Sequence, residues 1–304
     1  MKSGIKIAFW ILMAMDARAQ SFDELVKLYN YDRAAPLNLQ QTEMDSRAGY
    51  RLSSVRYDLP KTGHVPGYLV APDGGGRKPA IVWMHSGGAI QFLGDAVLMA
   101  KLGAVSILIG QAEDTPSGTP EQARDQLILD VVSLRRAADI LGARSDVDPA
   151  RLALVGHSYG AMMGAVAIAV DNRFHAAVFE CGLLGMSIHI ATSPGSWAAG
   201  VRKQLGSGLP HFLEVISVAD AKNYIGQAPT IPKLFQSAWY DPGVPHKDAE
   251  NFYLAATGPK ELKWYDTGHD VDDIAALADR ARFLAENLHL MKVDKVLREE
   301  IGVR

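Results

Sequence analysis

Leu152-Ala153-Leu154-Val155, Gly156-His157-Ser158-Tyr159-Gly160 and Ala161-Met162-Met163-Gly164-Ala165-Val166 follow one another without interruption. The first four residues form a continuous apolar run, short enough for a strand buried on both faces of a parallel sheet. The last six are apolar as well but rich in Ala and Met, which favours a helix, here from Tyr159 to about Val170. Five residues turn the chain between them, with a serine flanked by glycines. Gly-x-Ser-x-Gly alone is a weak signal, because it arises by chance in about one chain in ten of this size. Set between strand and helix, it predicts a tight turn whose crowded backbone needs glycine on both sides and whose hydroxyl stands clear of the sheet. That hydroxyl lies at the helix N-terminus, where the partial positive charge favours a developing anion.

The same alternation extends in both directions. Tyr50 to Leu59 and Gly67 to Val70, broken at Lys61 to Gly63, read as two antiparallel strands. Pro79 to Met84 and Ala104 to Ile109 are apolar strands around a helix near Phe92 to Leu102. Thr119, Pro120 and Gln122 spell a helix start, with a hydroxyl cap, proline at the first position and an amide three residues after the cap. Leu127, Val131, Leu134, Ala138 and Leu141 then give that helix one apolar stripe up to about Gly142. Further strands fall at Ala176 to Phe179, Leu234 to Trp239 and Leu262 to Tyr265. Strand and helix in turn predict the α/β class, a mostly parallel central sheet of about eight strands with helices on both faces. Residues 50–288 carry this pattern. Residues 20–49 read as an N-terminal extension, and residues 289–304 as one more helix with Val293, Val296 and Leu297 on its docking stripe. The segment from about 182 to 230 is too long for an ordinary connection and reads as a short lid-like insertion.

A serine hydroxyl needs a base, and the base needs a group to orient it. His269 lies just past the strand Leu262 to Tyr265, on the same carboxyl edge of a parallel sheet as Ser158; His246 is its rival. Asp241, past the run Leu234 to Tyr240, is the candidate acid, with Glu180 competing from the previous strand end. His85-Ser86-Gly87-Gly88 follows another strand and can turn backbone N–H groups toward a reacting carbonyl, beside the N–H of Tyr159. The donors expected there are Tyr159 together with Gly87 or its neighbour Ser86. His85, Met186, Trp197 and Trp239 are expected around a substrate pocket. The apolar residues of the insertion, such as Leu183, Met186, Trp197 and Phe212, serve either that pocket or the insertion's own core.

Composition narrows the field. The chain has 304 residues, 48% hydrophobic and 21% charged, with 31 Lys+Arg against 34 Asp+Glu, which excludes a disordered chain and a multi-span membrane protein. No block of like charge marks a nucleic-acid partner. Neither HExxH nor paired cysteines occur, so no metal and no cofactor are expected, and the lone Cys181 forms no internal disulfide. Lys2 and Lys6, the apolar run Ile7 to Met15, and Ala17-Arg18-Ala19 describe a signal peptide over residues 1–19. Nine apolar residues rise only about 14 Å as a helix, too short to span a membrane. The expected mature protein is periplasmic or secreted, without a stable membrane anchor; its oligomeric state is not legible.

These motifs together resemble the α/β-hydrolases, closest to the dienelactone-hydrolase-like and acetyl-esterase-like serine hydrolases. The resemblance runs from about Tyr50 to Leu288 and rests on Tyr68-Leu69-Val70-Ala71-Pro72, Pro79 to Gly88, Asp148-Pro149-Ala150-Arg151 leading into Gly156 to Gly160, and Asp241-Pro242-Gly243-Val244-Pro245 before Gly268-His269. The order Ser158, Asp241, His269 is the nucleophile, acid, base order of that superfamily. The resemblance implies cleavage of a small-molecule carboxylic ester through an acyl-enzyme. Two departures stand out: Ser158 replaces the cysteine of dienelactone hydrolases, which turns the expectation from lactones to esters, and Ser86 replaces the first glycine of the HGGG-type loop. A serine peptidase of the prolyl-oligopeptidase kind ranks second, and a non-catalytic binding protein on the same fold third.

Overall fold

A computed structural model describes residues 21–47 and 49–302; the leader expected over residues 1–19 lies outside them. In chain order come helix α1 (Phe22–Val26), strands β1 (Gln40–Arg47), β2 (Tyr50–Asp58), β3 (His64–Pro72) and β4 (Lys78–His85), helix α2 (Leu93–Lys101) and strand β5 (Val105–Ile109). Helix α3 (Pro120–Ala143), strand β6 (Val147–His157), helix α4 (Tyr159–Val170) and strand β7 (Ala176–Glu180) follow, then helices α5 (Met186–Thr192), α6 (Ser196–Leu205) and α7 (Leu209–Ile216). Strand β8 (Lys233–Ala238), helix α8 (His246–Ala255), strand β9 (Lys260–Tyr265) and helices α9 (Ile274–Asn287) and α10 (Val293–Ile301) complete the order.

The strands form one sheet in the order β1-β2-β3-β5-β4-β6-β7-β8-β9. From β5 through β9 every pairing is parallel, while β1, β2 and β3 form an antiparallel edge. The sheet therefore has nine strands among the described residues, not about eight. The additional strand is β1, within the segment expected to be an extension. Its sequence, Gln-Gln-Thr-Glu-Met-Asp-Ser-Arg, shows no apolar alternation because it is an edge strand exposed almost throughout and held by backbone pairing from Gln40↔Arg56 to Arg47↔Tyr50. The residues before it also belong to the fold. Tyr29 is fully buried edge-on against Tyr224, and Arg136 donates to the carbonyls of Ala35 and Pro36 at 2.9 and 3.0 Å.

Period-two alternation in the central strands divides the core. Ala80, Val82, Met84, Leu152 and Leu154 face α3, α4 and the insertion, whereas Ile81, Trp83, Ala153 and Val155 face α2, α9 and α10. Helix α3 starts as its sequence predicts: Thr119 Oγ1 accepts the Gln122 N–H at 3.2 Å, and the Gln122 side chain accepts the Thr119 N–H at 3.1 Å. Its predicted stripe is buried. The insertion is helical, built from α5, α6 and α7, and its Ile190, Ile216, Tyr224 and Ile225 continue the main core. Leu297 of α10 is fully buried among residues of α2 and α9, so this helix docks on its own chain.

The backbone is crowded at the turn from β6 to α4. Ser158 sits at φ 53, ψ −110, a conformation that costs a non-glycine residue about 1–3 kcal/mol. A Cβ on Gly156 would lie 2.3 Å from the Gly160 carbonyl oxygen, and one on Gly160 would lie 1.9 Å from the Met84 carbonyl oxygen. Gly160→Ala should therefore destabilise the protein by about 3 kcal/mol or more. Gly142, helical and with open space where a Cβ would go, is the control: Gly142→Ala should stabilise by about 0.5–1 kcal/mol. Urea unfolding of both variants checks this pair, and equal effects would refute the crowding at residue 160.

Candidate active site

Three strand ends meet at one rim. Ser158 leaves β6, Asp241 lies just past β8, and His269 lies four residues past β9. Ser158 Oγ is 2.9 Å from His269 Nε2, and His269 Nδ1 is 2.7 Å from Asp241 Oδ2. A carboxylate only accepts, so Nδ1 carries the ring proton and Nε2 is left to accept the serine hydroxyl. Asp241 Oδ1 accepts the Gly243 and Val244 N–H groups at 2.7 and 2.9 Å. Burial works against its charge, but the hydrogen bond and charge of His269 and the backbone donor outweigh it and hold the carboxyl below its ordinary range.

The competing groups are engaged elsewhere. The Glu180 backbone oxygen accepts the Ser158 N–H at 2.8 Å, while its side chain lies 3.1 Å from Arg280 Nη1 beneath the rim. That nitrogen donates to Gln236 Oε1 at 2.8 Å, so Glu180 Oε1 gains proximity to charge without a hydrogen bond. His246 Nε2 donates to the Trp239 carbonyl at 2.8 Å.

The N–H groups of Tyr159 and Ser86 have no protein acceptor among the described residues, and both residues line the same cavity as Ser158. Gly87 does not share that role. Its N–H donates to His85 Nδ1 at 2.9 Å, and the Gly88 N–H donates to the His85 carbonyl at 3.1 Å. The loop thus spends its glycine donors on itself and leaves the Ser86 N–H without a protein acceptor. Tyr159 also lines the cavity; its hydroxyl donates to Asp130 Oδ2 at 2.6 Å, and burial pushes that carboxyl up to about 6.

Beside Ser158 lies a cavity of about 610 Å³ whose walls include Leu127, Met162, Leu183, Met186, Trp197 and Phe212. Met186 and Trp197 stand where the pocket was expected, but His85 and Trp239 do not line it. His85 stacks face to face on His157 at 3.9 Å, and Trp239 stacks on Trp264 at 4.7 Å, away from the cavity. His189, which the sequence gives no reason to single out, does line it, stacked on Trp197 at 5.8 Å. A shallower hollow of about 680 Å³ continues past Ser86 and Gln111 over Tyr68, Gly88 and Glu113. Another hollow of the same volume, near Lys27, Lys61 and Arg124, contains none of the three rim residues.

Among the described residues, two clusters have donor atoms close enough for a metal ion: His85, His157 and Asp270, and Cys181, Asp241 and His269. In the first, both ring nitrogens of His157 are engaged, by Ser86 Oγ at 3.2 Å and the His269 carbonyl at 2.7 Å, and His85 Nδ1 accepts from Gly87. In the second, Asp241 and His269 hold each other, and burial keeps the Cys181 thiol well above its ordinary pKa. Neither cluster offers a free ligand set.

Residues 130–283 match the prolyl oligopeptidase family. The chain is 30% identical over 163 residues to the uncharacterized protein YfhR of Escherichia coli O157:H7, a match covering 54% of this chain and 50% of that protein. The chain therefore spans about half the length of the curated relative it matches. Acetyl xylan esterase 1 from Thermoanaerobacterium sp. JW/SL YS485 superposes with a TM-score of 0.74 at 16% identity, over 89% of this chain and 94% of that one. An acetyl xylan esterase from Paenibacillus sp. R4 gives 0.72 at 20% identity, over 87% and 92%. A puromycin-hydrolyzing peptidase of Mycobacterium tuberculosis gives 0.61 at 19% identity, over 84% of this chain but 40% of that one. At such identities these likenesses speak to the fold alone, which is the α/β-hydrolase fold.

The histidine pair beneath the rim sets a pH dependence. Burial, and next the neighbouring His85, hold His157 down to about 3; burial, and next His269, hold His85 down to about 4. Unfolded, both titrate near about 6.5. Between these values the unfolded chain binds more protons, so stability is complete above about pH 6.5 and falls as the pH drops toward 3 to 4. One such histidine costs about 2 kcal/mol at about pH 5. Urea unfolding between about pH 7 and 5 should therefore give a shallower loss for His157→Gln than for the wild type, by about 2 kcal/mol; parallel curves would contradict it.

Proposed function

The chain belongs to the prolyl oligopeptidase family and is a serine hydrolase of the α/β-hydrolase fold, and on that premise we propose that it cleaves carboxylic esters of small molecules. The observation that carries the proposal is the unbroken contact from Ser158 Oγ to His269 Nε2 at 2.9 Å and from His269 Nδ1 to Asp241 Oδ2 at 2.7 Å. His269 takes the hydroxyl proton as Ser158 Oγ bonds to the ester carbon. Asp241 keeps the imidazole in the tautomer that accepts at Nε2 and stabilises its charged form. The carbonyl oxygen, now an anion, faces the N–H groups of Tyr159 and Ser86, each of which is worth about 3 to 4 kcal/mol in such a transition state. His269 returns the proton to the departing alkoxide; water, activated the same way, then releases the acid and frees Ser158. The residues supply every proton transfer, and no cofactor takes part in the proposal.

Esters rank above amides on two grounds. Among the described residues lining the 610 Å³ cavity there is no Lys, Arg, Asp or Glu to grip a peptide terminus, and its walls suit an apolar group. The esterases named above also superpose over nearly their whole length, while the peptidase matches over 40% of its own. Family membership keeps a peptidase or amidase as the second reading.

A fluorophosphonate should label Ser158, as located by mass spectrometry, and short p-nitrophenyl esters should be hydrolysed in preference to aminoacyl amides. Ser158→Ala should lower kcat by about 10⁴- to 10⁶-fold. Amide turnover above ester turnover would favour the second reading, and neither labelling nor turnover would leave a non-catalytic binding protein. If the apolar cavity takes the acyl chain, Met186→Trp should depress hydrolysis of hexanoate by about tenfold or more while sparing acetate. Equal loss on both esters would move the acyl chain elsewhere.

A further inference from the structure

Gly-x-Ser-x-Gly asks nothing of its second residue except that it fit, yet His157 is fully buried and every polar atom of its ring is used. Nε2 lies 2.7 Å from the His269 backbone oxygen. A carbonyl only accepts, so Nε2 carries the proton, and Nδ1, 3.2 Å from Ser86 Oγ, accepts the serine hydroxyl. One imidazole therefore ties together two loops that leave different strands, the one carrying His269 and the one carrying the Ser86 N–H. We propose that His157 is a positioning residue for the hydrolytic site, fixing the base loop and the oxyanion loop to each other from below the nucleophile. The proposal rests on Ser158, Asp241 and His269 being the reacting set. His157 does not line the cavity, so it acts through its neighbours and not on substrate.

The surroundings fit this role. His85 and His157 are register partners on adjacent parallel strands, and their rings stack at 3.9 Å and 6°. The stack fixes the ring plane, and with it the directions of both hydrogen bonds. The His269 ring stands edge-on to His157 at 4.9 Å. The loop between β9 and α9 has little regular structure of its own, and Val271 within it sits at φ 48. Among the described residues, its hydrogen bonds to the nucleophile strand and turn are the His269–Ser158 contact and the bond from His157. Without the second, the reacting contact alone would bond the base loop to the nucleophile turn. Beyond the contacts of the His269 ring, the loop's other outside hydrogen bond, from the Tyr240 N–H to the Thr267 carbonyl at 3.2 Å, runs to the acid loop. Reacting groups misplaced by about 1 Å lose on the order of 10² in rate.

Three substitutions separate positioning from packing. His157→Phe keeps the ring volume and the stack but removes both hydrogen bonds. His157→Gln carries an amide N–H out to the place of Nε2, and His157→Asn reaches only the place of Nδ1. With a p-nitrophenyl ester, Phe should lower kcat by roughly 10- to 100-fold with KM within about twofold, and Gln should stay within about fivefold of the wild type. Asn should resemble Phe. The downfield proton resonance of the His269 Nδ1–H should broaden or shift in Phe and Asn and persist in Gln. Wild-type turnover in Phe, or equal losses in Gln and Asn, would overturn the proposal; the second comparison stands even if Phe fails to fold. An unchanged Nδ1–H resonance in Asn would overturn it whatever the activity. Ser158→Ala run alongside separates the two layers: if that variant keeps its turnover, the hydrolytic reading is what fails, and the resonance alone then decides the role of His157.

Discussion

The structure depends on one close approach: the backbone at Gly160 lies so near the Met84 carbonyl that a single Cβ would come within 1.9 Å of its oxygen. That proximity lets α4 rise directly out of β6 against β4. It also forces Ser158 into a left-handed conformation, which costs free energy that the surrounding core must offset. The conformation turns the hydroxyl out of the sheet and leaves the first N–H groups of α4 without helical acceptors, as at any helix start. On the proposed reading, the nucleophile and an anion-stabilising donor arise from the same crowding.

The rest of the rim follows from parallel topology. Because β4, β6, β7, β8 and β9 run the same way, every loop after a carboxyl end opens at the same edge, and residues far apart in the chain become neighbours. Beneath this edge a buried polar layer supports it. Arg280 reaches Asp95 and Gln236, and lies beside Glu180, whose carbonyl accepts the Ser158 N–H. On the other side of the sheet Asp130 accepts from Tyr159 and from the Ala112 N–H at 2.7 Å, tying the residue after the nucleophile to the loop beyond β5. Such groups are costly to bury and stabilise a single geometry only when their partners are in place. The histidine pair of β4 and β6 belongs to this layer.

What the sequence hid is as physical as what it displayed. Strand β1 was illegible because an edge strand held by backbone pairing and exposed almost throughout needs no apolar alternation. Trp239 departs from the expectation because position at a strand end says which rim a residue joins but not which way its ring turns; it meets Trp264 instead of the cavity. The motif leaves the loop donor open between Gly87 and Ser86; what separates them is that the Gly87 N–H is taken by His85, a bond between neighbours that no motif encodes. His189 and His157 were invisible for the same reason, since a lone histidine in sequence carries no record of what it will touch.

By itself the sequence determined the period of each element, the punctuation between them, and hence which loops end at the carboxyl edge with Ser158, Asp241 and His269. These are local properties, set by side-chain pattern and by glycine where the backbone crowds. Only the tertiary structure decided which N–H groups remain free, which rings line the cavity, and which histidine holds two loops together. Those outcomes depend on competition among donors and acceptors brought close by packing, and that competition does not exist until the chain has folded.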